Sequence, residues 1–156
     1  MIKELTIPKS RMAVLIGKNG ETKRMIESKT KTKIKINGFI RISGDLLGIL
    51  FAENIVRAIG RGFSPENAFQ LLDEEKTLYI IQLPDNALRR IRSRLIGTHG
   101  KARRNLERFT HTMISVYGKT VAIIGSYEDA EKARNAIEKL ISGASHKSVY
   151  KDIMKK

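Results

Sequence analysis

The chain contains no cysteine. That excludes disulfides, thiolate nucleophiles and cysteine-ligated zinc. It contains no tryptophan, and only 6% of its 156 residues are aromatic. Long apolar runs are missing as well. LLGILFA, at 46–52, is among the longest and is far too short to span a bilayer. The opening residues, MIKELTIPKSR, lack the apolar stretch of a secretory signal. A soluble, cytoplasmic protein that does not engage a membrane is expected. The histidines, His99, His111 and His146, are scattered, with no Ser/His/Asp arrangement and no metal-ligand spacing. No G-x-x-x-x-G-K-[ST] phosphate loop is present either. No enzymatic activity, cofactor or metal is expected. His111 reads as a polar residue at a strand edge, and His146 as a packing residue of the tail.

Acidic residues are outnumbered. There are 30 Lys and Arg against 16 Asp and Glu, a formal net charge of +14. Such an excess favours a polyanionic partner, because each phosphate neutralised releases a condensed counterion.

The cations are organised by a repeat. Residues 15–36, LIGKNGETKRMIESKTKTKIKI, match residues 95–116, LIGTHGKARRNLERFTHTMISV, at nine of twenty-two positions. After one inserted residue the match continues at Ile42/Ile123, Gly44/Gly125, Ala52/Ala133 and Asn54/Asn135. Self-similarity at a fixed period marks a duplicated supersecondary unit. Two small domains follow, each with a modest core.

Each unit reads in the same order. A β-branched, aromatic-rich strand comes first: KELTI at 3–7, then TLYIIQL at 77–83. A short helix leads to the glycines; in the second unit it spans 86–95, with Leu88, Ile91 and Leu95 on one face. A second helix follows, at 21–29 and 101–109. The alternation Lys33-Ile34-Lys35-Ile36, matched by Met113-Ile114-Ser115-Val116, predicts a half-buried strand. Asn37-Gly38 and Tyr117-Gly118 predict turns, with return strands at 39–43 and 120–124. Asp45 and Ser126 are candidate caps of a longer closing helix that Gly60 and Gly143 stop. The fold class is α+β, in the order β-α-α-β-β-α twice. The boundaries expected are 1–61 and 75–143. A connecting helix and linker lie between them at 62–74, where Ser64 caps and Pro65 takes the first helical position. A tail of one or two helical turns closes the chain at 144–156.

The glycine pairs Gly17/Gly20 and Gly97/Gly100 sit between two predicted helices. A tight reversal there needs backbone conformations that glycine adopts cheaply. The helix that leaves it offers unpaired N–H groups and a positive dipole end, which attract anions. Lys18, Lys23 and Arg24 flank the first loop, and Lys101, Arg103 and Arg104 the second. Arg89, Arg90, Arg92 and Arg94 crowd the helix before the second loop.

With this order and a GXXG between the first two helices, the stretches 15–36 and 95–116 resemble type I KH domains. The resemblance covers nearly the whole chain. It implies that each GXXG loop clamps the backbone of single-stranded RNA. It also implies a groove floored by Ile16, Ile34 and Ile36 in the first domain, and by Ile96, Ile114 and Val116 in the second. The RNA-contacting set it implies is Gly97, Thr98, His99, Gly100, Lys101, Arg103, Arg104, Arg94, Ile96 and Ile114, with Gly17, Lys18, Asn19, Gly20, Lys23 and Arg24. Three further stretches, IVRAIGRGFSPENAFQLL (55–72), ISVYGKTVAIIG (114–125) and GASHKSVYKDI (143–153), are similar to a narrower family. It is the two-KH ribosome assembly factor of archaea and eukaryotes, called partner of Nob in eukaryotes; this chain resembles the archaeal type. That likeness implies binding near the 3′ end of small-subunit ribosomal RNA, with the second domain as principal reader. It implies as partners the nuclease and the dimethyltransferase that act there, and a translation initiation factor subunit for the first domain. Open alternatives are a tandem-KH factor of transcription or of the exosome, and a scaffold in which one KH domain docks a protein.

Overall fold

In the computed structural model, which describes residues 1–155, the chain folds as two compact units that divide between Glu74 and Glu75. The first runs β1 (Ile2–Leu5), α1 (Lys9–Ile16), α2 (Glu21–Thr30), β2 (Lys33–Asn37), β3 (Phe39–Ser43), α3 (Leu46–Gly60) and α4 (Pro65–Ala68). The second runs β4 (Lys76–Gln82), α5 (Leu88–Ile96), α6 (Lys101–Thr110), β5 (Met113–Tyr117), β6 (Thr120–Ser126), α7 (Tyr127–Ile141) and α8 (His146–Met154). Both are α+β. Each sheet is antiparallel and places its last strand in the middle, in the orders β1-β3-β2 and β4-β6-β5.

Alternation decides the register. Ile34 pairs with Ile42 and Ile36 with Ile40, while Lys33 and Lys35 between them stay exposed. A one-residue slip would turn the lysines inward. In the second unit Ile114 pairs with Ile123 and Val116 with Val121. Leu95, Leu106, Ile123, Ile137 and Leu140 are essentially inaccessible and form the centre of its core. Each such side chain contributes about 1.5–3 kcal/mol by burial.

The two hairpins differ at their tips. Asn37 pairs with Phe39 across the single residue Gly38. Tyr117 pairs with Thr120 across Gly118 and Lys119, so the turn lies one residue later than the expected Tyr117-Gly118. Lys119 is the inserted residue of the repeat. An insertion at a hairpin tip leaves the ladder on both sides unchanged.

Asp45 Oδ1 accepts from the Gly48 amide at 2.9 Å, and Ser126 Oγ from the Asp129 amide at 3.1 Å, so both expected caps form. Gly60 is the last residue of α3 but is not the residue that turns the chain. It is helical and buried, and a Cβ there would lie 2.6 Å from Ile7 Cγ2. The left-handed backbone falls at Gly62, φ 103°. His111 is not at a strand edge. It is the exposed residue that ends α6, at φ 57° and ψ 40°, as Lys31 ends α2.

The segments expected as linker and tail are helical additions to their units. Ser64 caps α4, which continues into a 3-10 turn over Phe69–Leu72 and packs on α3. Ser145 caps α8, which packs on α6 and α7. Ala68 and Val149 are the buried residues of these two helices, and each lies four residues after its capping serine. At the offset of 81 that follows the insertion, Ser64 matches Ser145 and Phe69 matches Tyr150. The duplicated unit is therefore β-α-α-β-β-α-α, and the boundaries are 1–74 and 75 onward rather than 1–61 and 75–143. Lys156 lies outside the described residues. Among the described residues no helix is long and apolar enough to cross a membrane.

Candidate nucleic-acid interface

In each unit a helix ends, four residues reverse the chain, and another helix begins. Gly97 (φ 74°, ψ 176°), His99 (φ 55°, ψ 28°) and Gly100 (φ 74°, ψ 15°) all have positive φ. Gly17, Asn19 and Gly20 repeat those angles within a few degrees. A Cβ at Gly97 would lie 2.7 Å from the Ala102 backbone nitrogen, and one at Gly17 would lie 2.3 Å from Thr22 Oγ1. Glycine is thus needed both for conformation and for the approach of the next helix. The tip residues Lys18, Asn19, Thr98 and His99 are exposed.

Arginines brace both loops. Arg104 Nη1 donates to the His99 carbonyl at 2.7 Å, and Arg24 Nη1 donates to the Asn19 carbonyl at 2.7 Å. Both arginines are exposed, so each guanidinium holds the loop and still presents charge beside it. Lys101 is also exposed at the start of α6. Its counterpart in α2 is Glu21, an acidic residue in the first turn. The positive end of α2 is thus partly neutralised, whereas α6 has no acidic residue in its first turn.

Other predicted contact residues are engaged elsewhere. Arg103 pairs with Glu107 at 2.9 Å, and Lys23 with Glu27 at 3.3 Å. Both are half-buried and lie beside the loops rather than on them. Arg94 is half-buried. Its Nε donates to the Leu140 carbonyl at 3.2 Å and its Nη2 to the Ala144 carbonyl, closing the C-terminus of α7. Arg11 does the same for α3, donating to the carbonyls of Ile59 (2.7 Å) and Phe63 (2.8 Å). An arginine within a basic row reads in sequence as surface charge. Its true partners lie some fifty residues away and leave no local pattern.

The expected groove floor divides. Ile34 and Ile114 are 2% and 4% exposed and belong to the core. Ile114 holds β5 in place and offers little surface for contact. Ile36, Val116 and Ile96 are half-buried, and Ile16 is 37% exposed. An open cleft of about 310 Å³ beside α5 is lined by Leu88, Arg89, Arg92, Ser93 and Ile96. The cleft brings Arg89 and Arg92 beside Ile96. A second cleft, of about 350 Å³, opens beside the loop at 97–100. Gly97, Thr98, Lys101, Ala102, Asn105, His146 and Tyr150 line it. Among the described residues no group of His, Cys, Asp and Glu is gathered as a metal site.

Comparison with known proteins follows the same division. Residues 2–58 match the KH domain family, and residues 78–156 match a eukaryotic-type KH domain of type I, the second one of PNO1. A KH domain-containing protein of Methanocaldococcus jannaschii is 44% identical over 96% of this chain and 71% of its own. The pre-rRNA-processing protein PNO1 of Chaetomium thermophilum is 32% identical over 64% of this chain, a match that spans 42% of that longer protein. Among solved structures, Dim2p of Pyrococcus horikoshii superposes with a TM-score of 0.96 at 48% identity, covering 100% of this chain and 99% of that one. The same organism's a/eIF2alpha-aDim2p-rRNA complex contains a chain matching at TM-score 0.93 and 49% identity, over 98% of this chain and 92% of that one. This chain belongs to the two-KH-domain PNO1/Dim2 family, in its archaeal form.

Proposed function

We propose that this protein is a single-stranded RNA-binding ribosome assembly factor. It acts during maturation of the 3′ end of small-subunit ribosomal RNA, with the loop at 97–100 as the principal clamp. The observation that carries the reading is the second loop itself. Its backbone is fixed by two glycines and braced by Arg104, it opens a helix with no acid in its first turn, and Lys101 and Arg104 stand exposed beside it. Such a site holds phosphates without regard to sequence, while the adjoining cleft at Ile96 receives bases. Relatives named for pre-rRNA processing, and a neighbour solved with rRNA, support the choice of target. The chain acts as a binding module, not a catalyst.

A second role fits the first unit. Leu46, Leu47 and Leu50 are 56%, 58% and 48% exposed on α3, an apolar row suited to a protein partner. A neighbour solved with a/eIF2alpha makes a translation initiation factor subunit the first candidate. The 3′-end nuclease and the dimethyltransferase are the others.

The test is fluorescence anisotropy at one stated salt concentration. One single strand copies the 3′ end of the cognate small-subunit rRNA, and the other has the same composition scrambled. Tighter binding of the native strand supports the reading. Equal binding of both moves the target to another RNA.

A further inference from the structure

The second cleft shares no lining residue with the first. Its floor is α6 and its far wall is α8, the helix added to the β-α-α-β-β-α core. His146 Nε2 lies 2.8 Å from the Arg94 carbonyl, so this nitrogen carries a proton and donates, and the ring is fixed at the mouth of the cleft. Tyr150 is held edge-on by Phe109, with ring centroids 5.2 Å apart, and its ring lies 6.1 Å from that of His146. Two anchored aromatic rings therefore face a cavity that also carries a carboxamide, Asn105, and an exposed ammonium, Lys101.

The first unit shows what this chemistry is not. At the matching positions it has Glu21 for Lys101, Thr22 for Ala102, Met25 for Asn105, Pro65 for His146 and Phe69 for Tyr150. One position is acidic and three are apolar. The duplicated architecture is kept in both units, but the first has only the ring of Phe69 and lacks the imidazole, carboxamide and ammonium of the second.

We propose that the cleft between loop 97–100 and α8 is a nucleotide site. It takes one unpaired base of the same RNA strand, next to the stretch clamped at the loop, with its phosphate toward Lys101. The inference rests on the proposed RNA clamp, since Gly97, Thr98 and Lys101 belong to both surfaces. A cavity of this size falls within the usual range for small-ligand sites. A base that stacks on Tyr150 or His146 extends the bound strand past the loop by one nucleotide. The expected gain in affinity is about five- to a hundred-fold, typical of one base on an aromatic ring.

The experiment uses the full chain and a ladder of single-stranded oligonucleotides lengthened one nucleotide at a time on either side of a four-nucleotide stretch, the length that a GXXG loop clamps. In the wild type, affinity rises in one step when the nucleotide reaching the cleft is added, and an abasic residue at that position removes the step. Asn105→Asp and Tyr150→Leu, checked for an unchanged melting temperature, abolish the step and bind the shortest strand as the wild type does. Should either variant fold poorly, a 4-thiouridine placed at that nucleotide reports on the wild type alone, and its photo-crosslink falls on Tyr150 or His146. Steps of equal size in wild type and folded variants, or crosslinks only to residues of α5 and β5, overturn the inference and leave the loop clamp standing. Failure of the wild type to bind any strand of the ladder overturns both.

Discussion

Glu107 accepts two hydrogen bonds: one from the Ile114 amide at 2.8 Å, which ties the second unit's edge strand to its second helix, and one within that helix from Arg103 Nη1 at 2.9 Å. Glu27 does the same in the first unit, with the Ile34 amide at 2.8 Å and Lys23 at 3.3 Å. Strands β2 and β5 lie at the sheet edge, where unpaired amides invite another chain. The glutamate occupies one of these amides and fixes the strand beside the loop. Glu107→Ala leaves the Ile114 amide without its partner, an expected cost of about 1–3 kcal/mol. Urea unfolding of the full chain, followed by a probe in the second unit, checks this. Glu27→Ala has the matching effect on a probe in the first.

Arg104 separates bracing from charge. Arg104→Lys keeps the cation but not the planar fork that reaches the His99 carbonyl. Affinity for single-stranded RNA is expected to fall roughly fivefold, the value of about one hydrogen bond. The slope of log K against log salt is expected to stay unchanged. A lysine variant that binds as the wild type does would mean that the loop needs no brace.

Arg94 and Arg90 lie four residues apart on α5 and have opposite expectations. Arg94→Met removes the groups that close α7 at Leu140 and Ala144, and lowers the thermal midpoint. Arg90 is exposed, and Arg90→Gln leaves the midpoint in place. If Arg90 contacts a phosphate, its loss reduces the magnitude of the salt slope by about 0.7. Scanning calorimetry and salt titration together distinguish the two.

The two glycines of the second loop are not equivalent. An alanine at 97 meets the backbone of Ala102, which cannot move alone, whereas one at 100 meets Arg104 Nη1 at 3.0 Å, the end of a flexible side chain. Gly100→Ala forces a left-handed helical residue, at about 1–2 kcal/mol, whereas Gly97, at φ 74° and ψ 176°, lies in a region that is essentially glycine-only. Gly97→Ala is expected to cost more than that in stability. Gly100→Ala stays within it but displaces the Arg104 brace. Chemical unfolding of the two variants gives the order.

Much of this was legible in the chain. The repeat located both glycine loops, the alternation at 33–36 set the sheet faces, and Asp45, Ser64 and Ser126 marked helix starts, because these signals are local. Thr30 and Thr32 share a hydrogen bond at 2.8 Å, as do Thr110 and Thr112. Their identity across the repeat therefore reflects the join from helix to strand, not RNA contact. The role of Arg94 and the ties of Glu27 and Glu107 to the edge strands were hidden because those partners are backbone atoms, which have no signature in sequence. The extra helices escaped as a repeated element for a related reason. Ala68 and Val149, like Phe69 and Tyr150, share burial and position but not identity.

The central claim is that loop 97–100 is the RNA clamp and loop 17–20 is secondary to it. The measurement is RNA affinity at one stated salt concentration for two double variants of the full chain, Thr98→Asp with His99→Asp, and Lys18→Asp with Asn19→Asp. The residues changed are exposed, so both variants are expected to fold. Binding lost in the first variant and largely kept in the second is the predicted result. A folded first variant that binds as tightly as the wild type would contradict the assignment.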